Sequence, residues 1–190
     1  MNFRDLVLQN RSTRRFDESH PIDAGTLRDF VDLARLTPSA ANLQPLRYVL
    51  SHTPERNALI FQHLRWAGYL QDWSGPAPGQ RPGAYILLFA DSRISPNVDC
   101  DHGIAAQTIL LAAAERGLAG CMLGSIDREA LVQHLGLEPH YRLLLAVALG
   151  KSAETIVLED TSNGNIRYYR DSDGVHHVPK RPLDKVILDI

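Results

Sequence analysis

The sequence predicts an α+β domain, and three observations carry that expectation. Two runs, 84–90 and 143–149, are continuously apolar, the pattern of strands buried on both faces. Around them lie segments with apolar residues at helical spacing, several opened by capping residues. The last 40 residues are instead rich in hairpin signals, so strands and helices alternate without building a regular βαβ series.

In chain order, Asn2 caps a short helix over 3–9, which runs into Arg11-Ser12-Thr13-Arg14-Arg15. Pro21 and Asp23 open a second helix, where Leu27, Phe30, Val31 and Ala34 form one buried stripe at i, i+3, i+4 and i+7. Thr37-Pro38-Ser39 stops it, because the residue before proline avoids the helical region. Residues 39–45 read as a loop or short turn leading into a short strand at 48–50. Thr53-Pro54-Glu55 supplies an N-cap, a proline at the first helical position and an acid in the first turn, so a helix is expected to about residue 64. Residues 75–83 hold three Gly and three Pro and form a loop before the strand at 84–90.

The longest helix is expected over about 97–116, stopped by Gly117. Ile104, Ala105, Thr108, Leu111 and Ala112 make one face, and Ile109, Leu110 and Ala113 much of another, so this helix is buried on most sides. A strand at 118–123 ends at Gly124-Ser125, and Asp127 caps a helix to Leu135 with Gly136 beyond it. After the strand at 143–149, Asn163-Gly164 predicts a hairpin between 155–159 and 166–170, and Asp173-Gly174 predicts a second turn before 175–178. A final apolar segment, 186–188, follows Pro179-Lys180-Arg181-Pro182. The chain reads as one domain, 1–190, with 151–190 a hairpin-rich C-terminal extension.

Composition excludes several classes. Twenty basic against 22 acidic residues give a net charge of −2, which is not the field of a nucleic-acid binder. No stretch reaches the ~20 apolar residues that cross a bilayer, and the N-terminal residues show no apolar signal region. Cys100 and Cys121 make neither a disulfide framework nor a C-x-x-C pair. A cytoplasmic location without membrane contact is the expectation. The basic residues are 17 Arg against 3 Lys, so where the arginines sit matters.

Arg11, Ser12, Thr13 and Arg14, with Arg15, suit phosphate, because guanidinium forks and hydroxyls donate charge-assisted bonds to its oxygens. A solvated helix end is the competing reading. Lys180-Arg181 completes a phosphate clamp if it meets Arg11 and Arg14 in space. Ser39, Asn42 and Gln44 offer amides and a hydroxyl that can bond the imide edge of a planar ring, against ordinary loop polarity. The glycines of 120–125 let a flat ligand approach the main chain, or simply form a tight turn. Asp99, Asp101 and His102 are close in sequence, but His176 and His177 on a strand face opposite sides, so a metal site is disfavoured. No G-x-G-x-x-G, P-loop or G-x-S-x-G motif occurs, so an enzyme of this sequence leaves the chemistry to a cofactor and no catalytic side chain is named.

Four motifs in order, Arg11-Ser12-Thr13-Arg14-x-Phe16, Thr37-Pro38-Ser39-x-x-Asn42-x-Gln44-Pro45, Gly117-Leu118 to Gly124, and Lys180-Arg181-Pro182-Leu183-Asp184, resemble the FMN-dependent nitroreductase superfamily over nearly the whole chain. The resemblance implies a nitroreductase-like fold with a central, mainly antiparallel sheet flanked by helices. It implies a homodimer with FMN at the interface and a C-terminal segment exchanged with the partner subunit. Arg11, Ser12 and Arg14 match the motif that contacts the FMN phosphate and ribityl chain, with the Arg14 position near the pyrimidine edge of the flavin. Pro38 and Ser39 match a loop lining FMN from the other subunit, and Asn42 and Gln44 lie in it. Gly124 and Ser125 match the backbone near flavin N5, and Lys180 with Arg181 the C-terminal phosphate contact. The chain departs at Asn10, often Arg in the family, and at Leu46, often Trp. The implied activity is a two-step transfer from NADH or NADPH to a nitroaromatic, quinone or activated alkene. The alternative is a non-catalytic flavin-binding module for storage or sensing. Trp66, Tyr69 and Trp73, ahead of the Gly/Pro loop, are candidates for a substrate lid, with core packing as the competing reading.

Overall fold

The computed structural model describes residues 2–70, 72–161 and 164–188. Its centre is an antiparallel sheet in which β3 (Ala84–Asp91) lies between β2 (Leu46–Ser51) and the long β5 (Tyr141–Ser152). β4 (Ala119–Leu123) and the two-residue β1 (Phe16–Asp17) also pair antiparallel with β5. Every residue of β3 is buried, as its unbroken apolar run predicts. Because side chains alternate, Ala84, Ile86 and Leu88 enter one core and Tyr85, Leu87 and Phe89 the other.

Helices cover both faces. Leu27, Phe30 and Ala34 of α2 (Ala24–Arg35) and Ala105, Ala106, Ile109 and Ala113 of α4 (Asp101–Glu115) pack on the first core. Ile60 of α3 (Pro54–Phe61) and Leu131 of α5 (Arg128–Leu135) pack on the second. Local capping matches the sequence signals for α1 (Phe3–Gln9), α2 and α5. The side chains of Asn2, Asp23 and Asp127 accept from the backbone N–H of Asp5, Thr26 and Ala130, and Gly136 closes α5 at φ +64°.

Some boundaries move. α4 begins at Asp101 rather than near 97, because Asp99 takes a left-handed φ of +37°. Ile104 on its expected buried face is exposed. α3 ends at Phe61 rather than 64, since Leu64 leaves the helix to bridge Ile126, and the Thr53 side chain makes no cap bond. β5 is longer than expected because it serves β3, β4 and β1. It carries a bulge: Leu88 pairs with Leu145 but Phe89 with Leu143, which leaves Leu144 unpaired.

The extension corrects one expectation. β6 (Ile156–Asp160), β7 (Tyr169–Arg170) and β8 (His176–Lys180) form a sheet in the order β6-β8-β7, with β8 parallel to β6 and antiparallel to β7. The predicted hairpin between 155–159 and 166–170 is therefore absent, because β8 occupies the edge between its two arms. Asn163 of its expected turn lies outside the described residues. The Asp173-Gly174 signal does close a hairpin, β7 to β8. Gly174 has φ +78°, and the Asp171 carboxylate accepts from Asp173 and Val175 N–H. The apolar segment after this sheet is exposed, with Val186, Ile187 and Leu188 at 55% accessibility or more. Among the described residues no helix is long and apolar enough to cross a membrane.

Candidate functional site

After α1 the chain runs extended beside β4. Ser12 bridges Gly120 and Thr13 N–H donates to the Gly120 carbonyl at 3.0 Å. Only glycine permits this packing: a Cβ on residue 120 would stand 2.5 Å from the Ala148 carbonyl and 2.5 Å from a Leu110 methyl. Thr13 points inward, 3% exposed, with its hydroxyl turned back to the Arg11 carbonyl. Arg11 donates one guanidinium N–H to the Val7 carbonyl of α1 at 2.7 Å, and burial lowers its pKa. With Thr13 and Lys151 it lines a cavity of about 720 Å³ that opens at the C-terminal end of α4.

Arg14 is held from several sides. Its guanidinium donates to the Ser12 carbonyl at 3.1 Å, faces His176 Nε2 at 3.4 Å and lies 4.8 Å over the Tyr168 ring. The Nε–H groups of Arg11 and Arg14 are buried and have no partner. Beneath them sits Glu154, a carboxylate 1% exposed that accepts from Arg14 N–H, Arg15 N–H and the Arg170 guanidinium, the last at 3.0 Å. Burial above all brings His176 down to about 4, with Arg14 and Arg170 adding to the shift and Glu154 opposing it. Since arginine only donates, the Arg14 contact makes Nε2 the acceptor and leaves the proton on Nδ1, which is buried without a partner. His177 faces the other way, as strand alternation requires. It sits between Glu159 and Asp171 at 3.0 Å each, and those bonds, Asp171 first, raise its pKa.

The 38–44 loop lies at the far end of α4. Asp101, first residue of that helix and 4% exposed, accepts from the Ser39 hydroxyl at 2.6 Å and Ala40 N–H at 3.0 Å. Asp101 therefore spends its carboxylate on the loop. Ser39 Oγ also accepts from Gln44 N–H, and the Gln44 amide donates to the carbonyl and side chain of Asn42. Ala41, Asn42 and Gln44 all take left-handed φ, +47°, +55° and +53°, a cost borne only where surrounding bonds enforce it. Pro38, Ser39, Gln44, Tyr48 and Asp101 line a cavity of about 130 Å³ here. Fifteen residues of α4 span ~20 Å, so this loop and the Arg11–Arg14 segment stand at opposite ends of one rod.

Gly124 follows β4, four residues or ~13 Å from Gly120, and a methyl group added there would meet nothing within 4 Å. The Arg128 guanidinium holds it in place. It donates to the Gly124 carbonyl at 2.8 Å and also to the Leu143 and Leu144 carbonyls at the bulge in β5. The Ser125 carbonyl accepts from Arg65 N–H at 3.0 Å. Lys180 and Arg181 are exposed, and β8 carries Lys180 ~13 Å beyond His176, so one chain does not bring them to Arg11 and Arg14. The structure thus gathers Arg11, Ser12, Thr13 and Arg14 along the edge leading to Gly124 and Ser125. It leaves Pro38, Ser39, Asn42 and Gln44, and the pair Lys180 and Arg181, elsewhere.

Of the aromatic candidates, Trp66 is core: 8% exposed, 5.9 Å from the Phe61 ring and covered by Gly75. Tyr69 is half exposed against Tyr168, and Trp73 lies under Arg170 at 4.3 Å. Sequence reasoning missed Glu154, Asp101 as a loop anchor, and Arg128. Each acts through a partner distant in sequence or through backbone atoms, so no local pattern marks it.

The Nitroreductase family model matches residues 7–151. The chain is similar to the CLA biosynthesis enone reductase of Lactiplantibacillus plantarum, 25% identical over 187 residues, covering 79% of this chain and 85% of that protein. It is also similar to YodC of Bacillus subtilis (strain 168), which is named among NAD(P)H nitroreductases: 21% identical over 186 residues, covering 80% of this chain and 91% of YodC. Among solved structures, a Desulfovibrio desulfuricans protein in complex with FMN superposes with a TM-score of 0.72 at 25% identity, covering 100% of this chain and 98% of that one.

Proposed function

The chain belongs to the nitroreductase family, and from that premise we propose that it is an FMN-dependent NAD(P)H oxidoreductase whose acceptor is a nitroaromatic, a quinone or an activated alkene. The observation that carries the reading is the pair of buried, unpartnered guanidinium N–H groups on Arg11 and Arg14, in a segment docked on the strand that leads to Gly124, where an added methyl group meets open space. Such a donor set and such an opening fit a flat cofactor that bears a phosphate. The enone reductase and the NAD(P)H nitroreductase among the relatives, and the FMN complex among the structures, support the same reading.

In this reading Arg11, Ser12 and Arg14 hold the anionic and ribityl parts, and Arg14 sets a cation where negative charge gathers on reduction. Glu154 and the neutral His176 hold Arg14 in place. Gly124 and Ser125 present main chain to the ring, and Arg128 fixes that main chain. When bound, FMN supplies the hydride relay between the nicotinamide and the acceptor. The 38–44 loop, ~20 Å away along α4, joins such a site from a second copy of the chain. Lys180 and Arg181 reach it by the same association, with the C-terminal segment exchanged. The exposed apolar residues 186–188 support a homodimer of this kind. We place the enzyme in the cytoplasm.

The test is direct. The purified protein takes up FMN with a visible flavin spectrum, and Arg14→Ala weakens its retention. A colourless protein that refuses FMN sinks the proposal. Anaerobic mixing with NADH or NADPH separates the enzyme from a storage or sensing module, because only the enzyme bleaches within seconds.

A further inference from the structure

Beside the Arg14 cluster, but distinct from it, lies a cavity of about 570 Å³ walled by Arg15, Arg167 and Arg170 with Tyr69, Trp73 and Tyr169. Among the described lining residues Asp72 is the one acid. Glu154, behind the wall, pairs its charge with Arg170 and also accepts from the Arg14 and Arg15 backbone N–H groups. Stacking fixes how the cations lie: Arg170 sits 4.3 Å over Trp73 and Arg167 5.7 Å from Tyr69. Tyr169 is itself held flat against His177, ring centroids 4.7 Å apart at 4°. Two donors remain unspent, since the Nε–H groups of Arg15 and Arg170 are buried without a partner.

A pocket with surplus cationic charge, orphaned guanidinium donors and aromatic walls asks for an oxyanion carried on a flat body. Orphaned buried donors favour a ligand that supplies acceptors, and guanidinium forks match carboxylate and phosphate alike. The aromatic rings accept a conjugated plane where water would gain little. We propose that this cavity binds the carboxylate or phosphate of a flat, conjugated ligand. It thereby selects, among the substrates of the oxidoreductase proposed above, those that carry a negative charge. The proposal rests on that reading for the word substrate, and on the cavity alone for the binding.

The experiment is a calorimetric titration of the purified protein with two matched pairs: 4-nitrobenzoate against 4-nitrobenzamide, and NADPH against NADH. Each pair differs in one oxyanion at nearly constant shape. The charged member is expected to bind about tenfold tighter in at least one pair, and raised salt erodes the difference. Arg15→Gln and Arg167→Gln remove most of that preference while the neutral member loses little. Arg167 is exposed, so its variant keeps the fold, which a thermal melt verifies. A preference in the first pair identifies a carboxylate substrate, and one in the second the 2′-phosphate of the nucleotide. Equal binding within both pairs, or a preference that both variants retain, overturns the proposal. The flavin spectrum of the same samples keeps the two readings apart. A protein that prefers the oxyanion but takes up no FMN keeps the anion site and loses the flavin. A yellow protein, bleached by NADH, that treats both pairs alike loses the anion site only.

Discussion

Removing the Glu154 carboxylate is the most informative single perturbation, because three donors converge on a side chain only 1% exposed. Glu154→Ala orphans the Arg14 and Arg15 N–H groups, at about 1–3 kcal/mol for each buried donor left unmade. It also strips the counter-charge from Arg170, 11% exposed, and a buried charge that loses its partner costs about 3–5 kcal/mol. These losses overlap, since water entering the space answers several donors at once, so a total of about 4 kcal/mol is expected. For a chain of this length that lowers the melting temperature by about 8–16 °C, at ~2–4 °C per kcal/mol. Calorimetry on Glu154→Ala, Arg170→Met and the double variant measures it. The double variant should fall short of the sum of the singles by at least about 1 kcal/mol, because the second change removes a charge already orphaned. Glu154→Gln keeps an acceptor for the backbone donors and should lose less than Ala. A loss below about 1 kcal/mol, or strict additivity, would refute the view that Glu154 ties the C-terminal sheet to the arginine segment.

Other outcomes follow from the same geometry. Gly120→Ala drives a methyl group to 2.5 Å from the Ala148 carbonyl and should cost about 3 kcal/mol or more by overpacking, whereas Gly124→Ala meets nothing and should melt within ~1–2 °C of wild type. Similar melts for both variants would contradict this packing. His176 has a folded pKa near 4 against 6.5 unfolded, so the unfolded chain takes the proton first. Its contribution, up to about 3 kcal/mol, is complete above pH 6.5 and drains away toward pH 4. His177, raised by Asp171 and Glu159, behaves oppositely: its contribution is complete below 6.5 and is lost as pH rises through its folded value. Urea titrations at several pH values on His176→Asn and His177→Asn should flatten opposite limbs of the stability profile. Ser39→Ala removes the bonds to Asp101 and Gln44, should cost about 1–2 kcal/mol, and should speed amide exchange over 40–44. Unchanged exchange there would show that the left-handed loop does not depend on Ser39.

Much of this molecule was legible in its residues, for a local reason. The strands at 84–90 and 143–149 announce themselves because burial on both faces leaves no polar position. The caps at Asn2, Asp23 and Asp127 work over three residues. The Asp173-Gly174 turn closes on its own backbone. The arginine and hydroxyl content of 11–14 also marked a candidate anion site directly. What the tertiary structure alone decided depends on partners far apart in sequence. Nothing near Glu154 tells that its carboxylate receives Arg14, 140 residues away, nor near Asp101 that it holds Ser39, 62 residues away. The Asn163-Gly164 hairpin failed because edge pairing is a competition that local turn chemistry does not decide: β8 took the edge of β6 that β7 was expected to fill. The division of the candidate site between the two ends of α4 has the same origin, since helix length is readable from the sequence but what docks at each end is set by packing.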